Sequence, residues 1–377
     1  MTANSISEET VLLERAADWL RSVLPPTWTV AVSDRTLTTP NGQQAQVDGF
    51  IDVQTQQGQV NFLVEAKRSL MPKEAEQMFS GVARRYRQLS PYNAAILVVA
   101  PWLSARTRDV LAADGINYID LTGNARIEVA SPALFLSYQG ASRDPQPAPR
   151  GKARVRGPKA GRLIRFLVDV SPPYTVSEIA SATRLAPGYV SRLLETLDDE
   201  ALIERSRRGQ VTATEVPAIL RRWTETYDVF KTNTRRLFVA PNGAADLLKR
   251  VGASPRSDEI AITGSFAAVR LAPVAAPAML IAYVQDVEAT AETFGLLPAD
   301  SGANVVLLRP FDEVVWERTS VAAGVRYASP SQVAMDCLTG NGRMPSEGEA
   351  LLTWMMENEP VWRAPALAEA LEERVEE

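Results

Sequence analysis

Histidine is absent from all 377 residues, and cysteine occurs once, at Cys337. Without an imidazole, Ser–His and Cys–His nucleophile pairs and histidine zinc sites are excluded. A single thiol excludes an internal disulfide and any multi-cysteine metal site. Catalysis, if any, falls to carboxylates, lysine, or a hard cation held by oxygen ligands. Long uncharged apolar runs are also missing. Glu14, Arg15, Asp18 and Arg21 interrupt the first apolar stretch, Val11 to Leu24, which is unlike a secretory signal. Leu271 to Gln285 contains two prolines and is too short to cross a bilayer. A cytoplasmic protein with no membrane partner is expected. The chain has no excess of positive charge either: its net charge is −5, so it is no basic nucleic-acid coat and local charge decides. What it does have is length for more than one domain and 46% hydrophobic residues, enough for packed cores.

The most informative stretch is Thr175 to Thr214. Val176, Ile179 and Ala180 form an apolar stripe at helical spacing, with Ser177 and Glu178 near the helix start. Leu185-Ala186-Pro187-Gly188 reads as a turn with proline placed to open a new helix. Val190, Leu193, Leu194 and Leu197 make the buried face of that second helix. Tyr189, Ser191, Arg192 and Glu195 fall on its other face. Two short strand patterns follow, Leu202–Arg205 and Val211–Thr214, joined by a tip with Arg207, Arg208 and a glycine turn. From Arg143 to Arg165 there are eight Lys/Arg against one acid, Asp144, and this basic run leads into the segment.

In order and length this segment resembles the winged helix-turn-helix of MarR-like and AbiEi-like regulators. The resemblance implies binding of double-stranded DNA without a cofactor. Tyr189, Ser191 and Arg192 would reach the major groove, with Arg207 and Arg208 in or near the minor groove and Ser177 and Pro187 as further DNA-binding residues. Arg154 and Arg156 in the basic linker would add phosphate contacts. A homodimer is expected, because one winged helix reads only a short half-site. The alternative is a helical hairpin packed into a larger domain, its arginines simply solvated.

In the N-terminal third, Ser5-Ile6-Ser7-Glu8 suits a capping box for a first helix bearing Val11, Leu12, Ala16, Trp19, Leu20 and Val23 on one face. A short strand is predicted over Trp28–Val32. Ala45–Thr55 and Gln59–Lys67 then alternate as strands around Gln56-Gln57-Gly58. A turn centred on Gln56-Gln57 places Asp48 opposite Glu65 on one sheet face, with Lys67 two residues on and Asp52 opposite Asn61 nearer the tip. A slip of one residue would send Glu65 to the other face. Two carboxylates and a lysine at a sheet edge could hold a divalent metal and orient an attacking water. Asp48…Glu65-Ala66-Lys67 resembles the PD-(D/E)xK signature of the restriction-endonuclease-like fold. Further elements predicted in that order agree: a helix over Pro72–Leu89, a buried strand Ala94–Ala100, a helix Ser104–Asp114 and a strand Tyr118–Leu121. The resemblance implies Asp48 and Glu65 as metal ligands, with Lys67 as the third catalytic group and Mg²⁺ as the cofactor if the site is active. Asp48 and Asp52 remain alternatives, and the later helix offers Gln77 or Arg84 as an auxiliary group. Gly123-Asn124 reads as a hairpin turn, with a site role for Asp120 or Asn124 as the lesser option.

In the C-terminal third, Val216–Lys231 has helical periodicity and is expected as one connecting or dimerising helix. Strands are predicted at Arg235–Ala240, Glu259–Thr263, Ala278–Val284, Val305–Leu308 and Glu313–Glu317, with helices at Gly243–Val251, Phe266–Leu271, Gln332–Leu338 and Glu347–Glu357. Gly264-Ser265 after a strand resembles the nucleotidyltransferase-like fold. The next strand carries no acidic pair, so a degenerate, non-catalytic version is implied. The tail resembles the C-terminal domain of AbiEi-family antitoxins. Trp354, Met355, Met356 and Trp362 suit a small core or a partner surface.

The expected architecture is therefore α/β and multi-domain. It comprises a restriction-endonuclease-like domain (1–141), a basic linker (142–158), a winged helix with connecting helix (159–232), and a C-terminal α/β domain (233–377). The expected function is a sequence-specific DNA-binding transcriptional regulator. The alternatives are a Mg²⁺-dependent endonuclease targeted by the winged helix, and a defence or toxin–antitoxin component acting through a protein partner.

Overall fold

A computed structural model of the chain describes residues 8–33, 37–38, 44–45, 48–78, 94–146 and 155–365. The fold is mixed α/β in two compact units. One comprises Met1–Gly151 with Asp199–Ala201, the other Lys152–Asp198 with Leu202–Glu377. Among the described residues no helix is long and apolar enough to cross a membrane.

The first unit begins with α1 (Glu8–Val23), β1 (Thr29–Ser33) and a short ladder of β2 (Leu37–Thr38) with β3 (Gln44–Ala45). It continues with β4 (Gly49–Thr55), β5 (Gly58–Ala66), helical residues 72–78 (α2), β6 (Ala94–Ala100) and α3 (Ala105–Ala113). The last strands are β7 (Asn117–Asp120), β8 (Ala125–Val129) and β9 (Leu134–Tyr138). One sheet runs in the order β1-β4-β5-β6-β7-β8-β9. Strands β5, β6 and β7 are parallel, and the outer pairs are antiparallel.

The central strand β6, Ala94-Ala95-Ile96-Leu97-Val98-Val99-Ala100, is apolar on both faces because both are covered. Leu97 and Val99 pack with Ile51, Val53 and Phe62 beneath Leu13, Ala16, Ala17 and Leu20 of α1. Val98 and Ala100 pack on the opposite face with Ala75 of α2 and with Val110 and Leu111 of α3. Val11, expected on the apolar face of α1, is 46% exposed, because helical spacing turns Leu13, Ala16, Ala17 and Leu20 inward instead. The strand expected over Ala45–Thr55 is not continuous: Ala45 belongs to the β2–β3 ladder and β4 starts at Gly49. The expected capping box at Ser5–Glu8 and the helix beyond residue 78 extend outside the described residues.

The second unit opens with α4 (Pro158–Asp169), α5 (Val176–Thr183), α6 (Pro187–Asp199), β10 (Ile203–Arg205), β11 (Val211–Thr214), α7 (Val216–Thr224) and α8 (Val229–Thr232). Then follow β12 (Thr234–Val239), α9 (Ala244–Gly252), a 3₁₀ turn η1 (Ser257–Glu259), β13 (Ile260–Thr263), α10 (Ser265–Ala268) and β14 (Leu280–Val284). Next are α11 (Val287–Phe294), β15 (Leu297–Pro298), β16 (Val305–Arg309), a second 3₁₀ turn η2 (Glu313–Trp316), β17 (Ser320–Ala322) and β18 (Val325–Tyr327). Helices α12 (Pro330–Leu338), α13 (Met344–Glu357) and α14 (Glu359–Trp362) complete it. The larger sheet runs β15-β12-β16-β14-β13-β18-β17, and β10 and β11 form a separate two-stranded ladder.

One continuous hydrophobic core joins Leu163, Val190 and Leu194 of the helical segment to Tyr283, Leu307 and Leu351 of the sheet and its helices. Helix α4 is the seam. A Cβ at Gly161 would lie 3.1 Å from both the Phe311 and Trp223 rings, so any larger residue would have to push these rings aside by a few tenths of an ångström. Arg165 is fully buried: it donates to Asp169 Oδ2 at 2.8 and 3.0 Å, to Gln332 Oε1 at 2.9 Å and to the carbonyls of Val314 and Glu317. Gln332 in turn donates to Asp336 Oδ1 at 2.9 Å. The Asp336 carboxylate also accepts from Thr263, Tyr227 and Tyr283 hydroxyls. The buried side chains of this hydrogen-bonded network, from Arg165 to Asp336, thus have the partners that burial demands.

Two expected elements differ. The helix over Val216–Lys231 breaks after Thr224. Asp228 accepts from the backbone N–H groups of Phe230 and Lys231 and starts α8 afresh, a cap that apolar periodicity does not register. Residues 313–317, expected as a strand, form η2, capped by Asp312 at the N–H of Val314. At the end of the chain, Met355 and Trp362 are buried while Met356 is half exposed, so this cluster is mainly core.

Candidate functional site

In the first unit, Gln56-Gln57 make the two-residue turn expected from sequence, with Thr55 paired to Gly58. The ladder then fixes Asp52 opposite Asn61 and Gly49 opposite Val64, so Asp48 falls opposite Glu65. Backbone contacts hold it there: the N–H of Ala66 donates to Asp48 Oδ2 at 2.8 Å. Glu65 is the register partner of Val98, which faces α2 and α3, so the pair projects on that side of the sheet. Lys67 lies between the carboxylates, its Nζ 2.7 Å from Glu65 Oε1 and 3.7 Å from Asp48 Oδ2. All three side chains are partly accessible, at 21% for Asp48, 23% for Glu65 and 29% for Lys67. Burial works to lower the Lys67 pKa, but the hydrogen bond and charge of Glu65, with Asp48 behind, outweigh it and hold the ammonium above its ordinary value.

Asp52, the alternative to Asp48, is buried and accepts from Ser33 Oγ at 3.0 Å, away from Lys67. Gln77 is exposed on α2, and Arg84 lies outside the described residues. Asp120 and Asn124 are structural. Asp120 accepts from the N–H groups of Leu103, Thr122 and Asn124, and Asn124 ties this turn to Arg108 and Gly140. Asp48 and Glu65 present hard oxygen donors on one face, a donor set that fits Mg²⁺. No group of three or more metal-ligating side chains occurs among the described residues, so water or substrate oxygens would have to complete the shell.

In the second unit, the Thr175 side chain caps α5 by accepting from the N–H of Glu178, whose carboxylate accepts from the N–H of Thr175. Pro187 is the first residue of α6, where its missing N–H costs nothing. Val190, Leu193, Leu194 and Leu197 are fully buried, each contributing about 1.5–3 kcal/mol, and they orient the helix. Its outer face presents Ser191, Arg192 and Glu195. Strands β10 and β11 are joined by an exposed tip with Arg207 and Arg208, turned at Gly209. Tyr174 pairs with Val211 through two backbone hydrogen bonds, adding a third strand position to the β10–β11 hairpin.

The expected DNA-facing residues divide. Ser177, Pro187, Ser191, Arg192, Arg207, Arg208 and Arg156 are all exposed. Tyr189 is half-buried against the core, and burial raises its hydroxyl pKa, so only part of the ring is available. Arg154 lies outside the described residues. The basic run is thinner in space than in sequence: Arg165 is buried with Asp169, and Arg162 pairs with Asp312 at 2.9 Å. Sequence reading missed these pairs because their acids lie on other turns or far along the chain.

A groove of about 880 Å³ lies between α3 and β8–β9, lined by Ile116, Arg126, Glu128 and Phe135 among others; no expected site residue borders it. In comparison with known proteins, the chain matches no family model and no curated sequence.

Proposed function

We propose that the protein binds double-stranded DNA in a sequence-specific manner and regulates transcription, reading DNA as a homodimer through α5, α6 and the β10–β11 wing. The observation that carries this is one of free charge. Arg192 on α6 and Arg207 and Arg208 on the wing are exposed, and none forms an ion pair among the described residues. Most other arginines of this unit's helices are neutralised by acids, as Arg162, Arg165, Arg221 and Arg222 are. A helix whose apolar face is spent on the core and whose other face offers Ser191 and Arg192 suits major-groove reading. The test is a binding titration with the DNA upstream of the protein's own coding sequence. Arg192→Ala should weaken specific binding by about 1–3 kcal/mol if it contacts a base edge. Unchanged affinity at fixed salt would remove Arg192 from the interface.

A second reading rests on the convergence of Asp48, Glu65 and Lys67. Here the protein is a metal-dependent DNA endonuclease that the winged helix targets. Asp48 and Glu65 would hold Mg²⁺, which supplies Lewis-acid stabilisation and an activated water. Lys67, already oriented by Glu65, would offer its ammonium to the developing phosphate charge. Supercoiled plasmid with Mg²⁺ or with EDTA tests this. Metal-dependent nicking that disappears in Lys67→Ala supports the endonuclease, and intact plasmid in every arm removes it.

A further inference from the structure

The Lys67 ammonium lies where a cation shared by Asp48 and Glu65 would lie. It touches Glu65 Oε1 at 2.7 Å and stands 3.7 Å from Asp48 Oδ2. It is thus an internal counter-ion to the same two carboxylates that the endonuclease reading assigns to a metal. We propose that Lys67 competes with the divalent cation for this carboxylate pair, so that metal entry requires its ammonium to swing out. This inference rests on the endonuclease reading and adds to it a built-in brake on loading.

Three features support the competition. The lysine is tethered on the same strand as Glu65, two residues on, so its ammonium is present at the pair at high effective concentration. Asp48 is anchored at the pair by the N–H of Ala66, which donates to its Oδ2 at 2.8 Å. The side chain of Lys67 is 29% exposed and the neighbouring carboxylates are similarly open, so the ammonium has a path into water. Displacement also makes chemical use of the lysine. An ammonium released from Glu65 becomes free to meet a substrate phosphate, so metal loading and phosphate binding would reinforce each other.

The experiment is a Mn²⁺ titration of the full chain, followed by loss of the free-ion paramagnetic resonance signal, for wild type, Lys67→Met, Lys67→Arg and Glu65→Gln. Lys67→Met keeps most of the length of the side chain and removes the competing charge. Affinity at the pair should rise roughly tenfold or more, a modest value for a partly exposed and screened charge. Lys67→Arg retains the charge and should stay near wild type. Glu65→Gln should lose the saturable site. If Lys67→Met binds Mn²⁺ no more tightly than wild type while Glu65→Gln loses the site, competition is wrong and the metal site stands. Tightening in Lys67→Arg equal to that in Lys67→Met also overturns competition, since charge would then not be the cause. If Glu65→Gln and wild type titrate alike, the pair holds no metal, and the endonuclease reading falls together with the inference. Should Lys67→Met fail to fold by circular dichroism, Lys67→Gln takes its place under the same criteria.

Discussion

Replacing Arg207 and Arg208 together with alanine should flatten the salt dependence of DNA binding without disturbing the fold. Both guanidinium groups are exposed, and neither has an ion-pair partner among the described residues. Exposed substitutions of this kind shift stability by no more than about 0.5 kcal/mol. Each cation that neutralises a phosphate of B-DNA contributes about 0.9 to the slope of log affinity against log salt. Two such contacts at the wing make the wild-type slope steeper by about 1.8 than that of the double variant. Between about 50 and about 200 mM salt, wild type should therefore lose roughly twelvefold more affinity than the variant. Fluorescence anisotropy on a specific duplex and on a scrambled duplex of equal length measures both slopes. Phosphate contacts position rather than specify, so the ratio of specific to scrambled affinity should hardly change. Arg192→Ala should do the reverse, with a large loss of that ratio and a small change in slope. An unaltered slope in the double variant would place the wing off the DNA and refute the charge argument.

Other outcomes follow from the same structure. Glu65→Ala should leave DNA affinity intact, because Glu65 lies in the other unit from α6 and the wing, and should abolish any metal-dependent nicking; a loss of DNA binding in titration would tie the two units functionally. Arg165→Ala should destabilise the second unit by about 3–5 kcal/mol in urea melts, since it strands a buried Asp169; a loss under about 1 kcal/mol would show Asp169 to be adequately held by Ser331. Burial holds the Asp336 carboxyl above its ordinary pKa, against the pull of its hydroxyl and amide donors. The stability from that bound proton is complete below the ordinary carboxyl range and lost as pH rises through the raised value. Asp336→Asn cannot titrate and turns an amide toward several donors, costing about 1–3 kcal/mol. Its deficit relative to wild type should shrink as pH rises through that window, and a constant or growing deficit would contradict the burial argument.

The carboxylate–lysine site was legible in sequence because a two-residue turn fixes every pair of the ladder behind it. Once Thr55 faces Gly58, Asp48 must face Glu65. The helices and hairpin between Thr175 and Thr214 were equally open to reading: the proline at Pro187 and the apolar spacing are local signals. What stayed hidden depends on distant partners. Arg162 and Arg165 look like part of a basic stripe until Asp312 and Gln332 arrive from elsewhere in the chain. Tyr227 and Tyr283 read as apolar core positions, and only tertiary contact shows that their hydroxyls join the buried carboxyl of Asp336. The break between α7 and α8 was hidden for another reason: Trp223, Tyr227 and Phe230 keep helical spacing across it, while Asp228 restarts the backbone.

The β10–β11 hairpin is also fastened from far downstream. The Arg363 guanidinium donates to the carbonyls of Leu167 and Val170 and to Thr214 Oγ1, and Ala364 exchanges backbone hydrogen bonds with Asp169 and Ser171. Thr214 and Arg363 are 149 residues apart. At about 5–20 residues per second, a ribosome needs roughly 7–30 seconds to travel between them. For that interval the α5–β11 segment exists on the nascent chain without its final clasp. A ribosome that stalls between these positions would thus leave helices and a hairpin that are made but not yet secured.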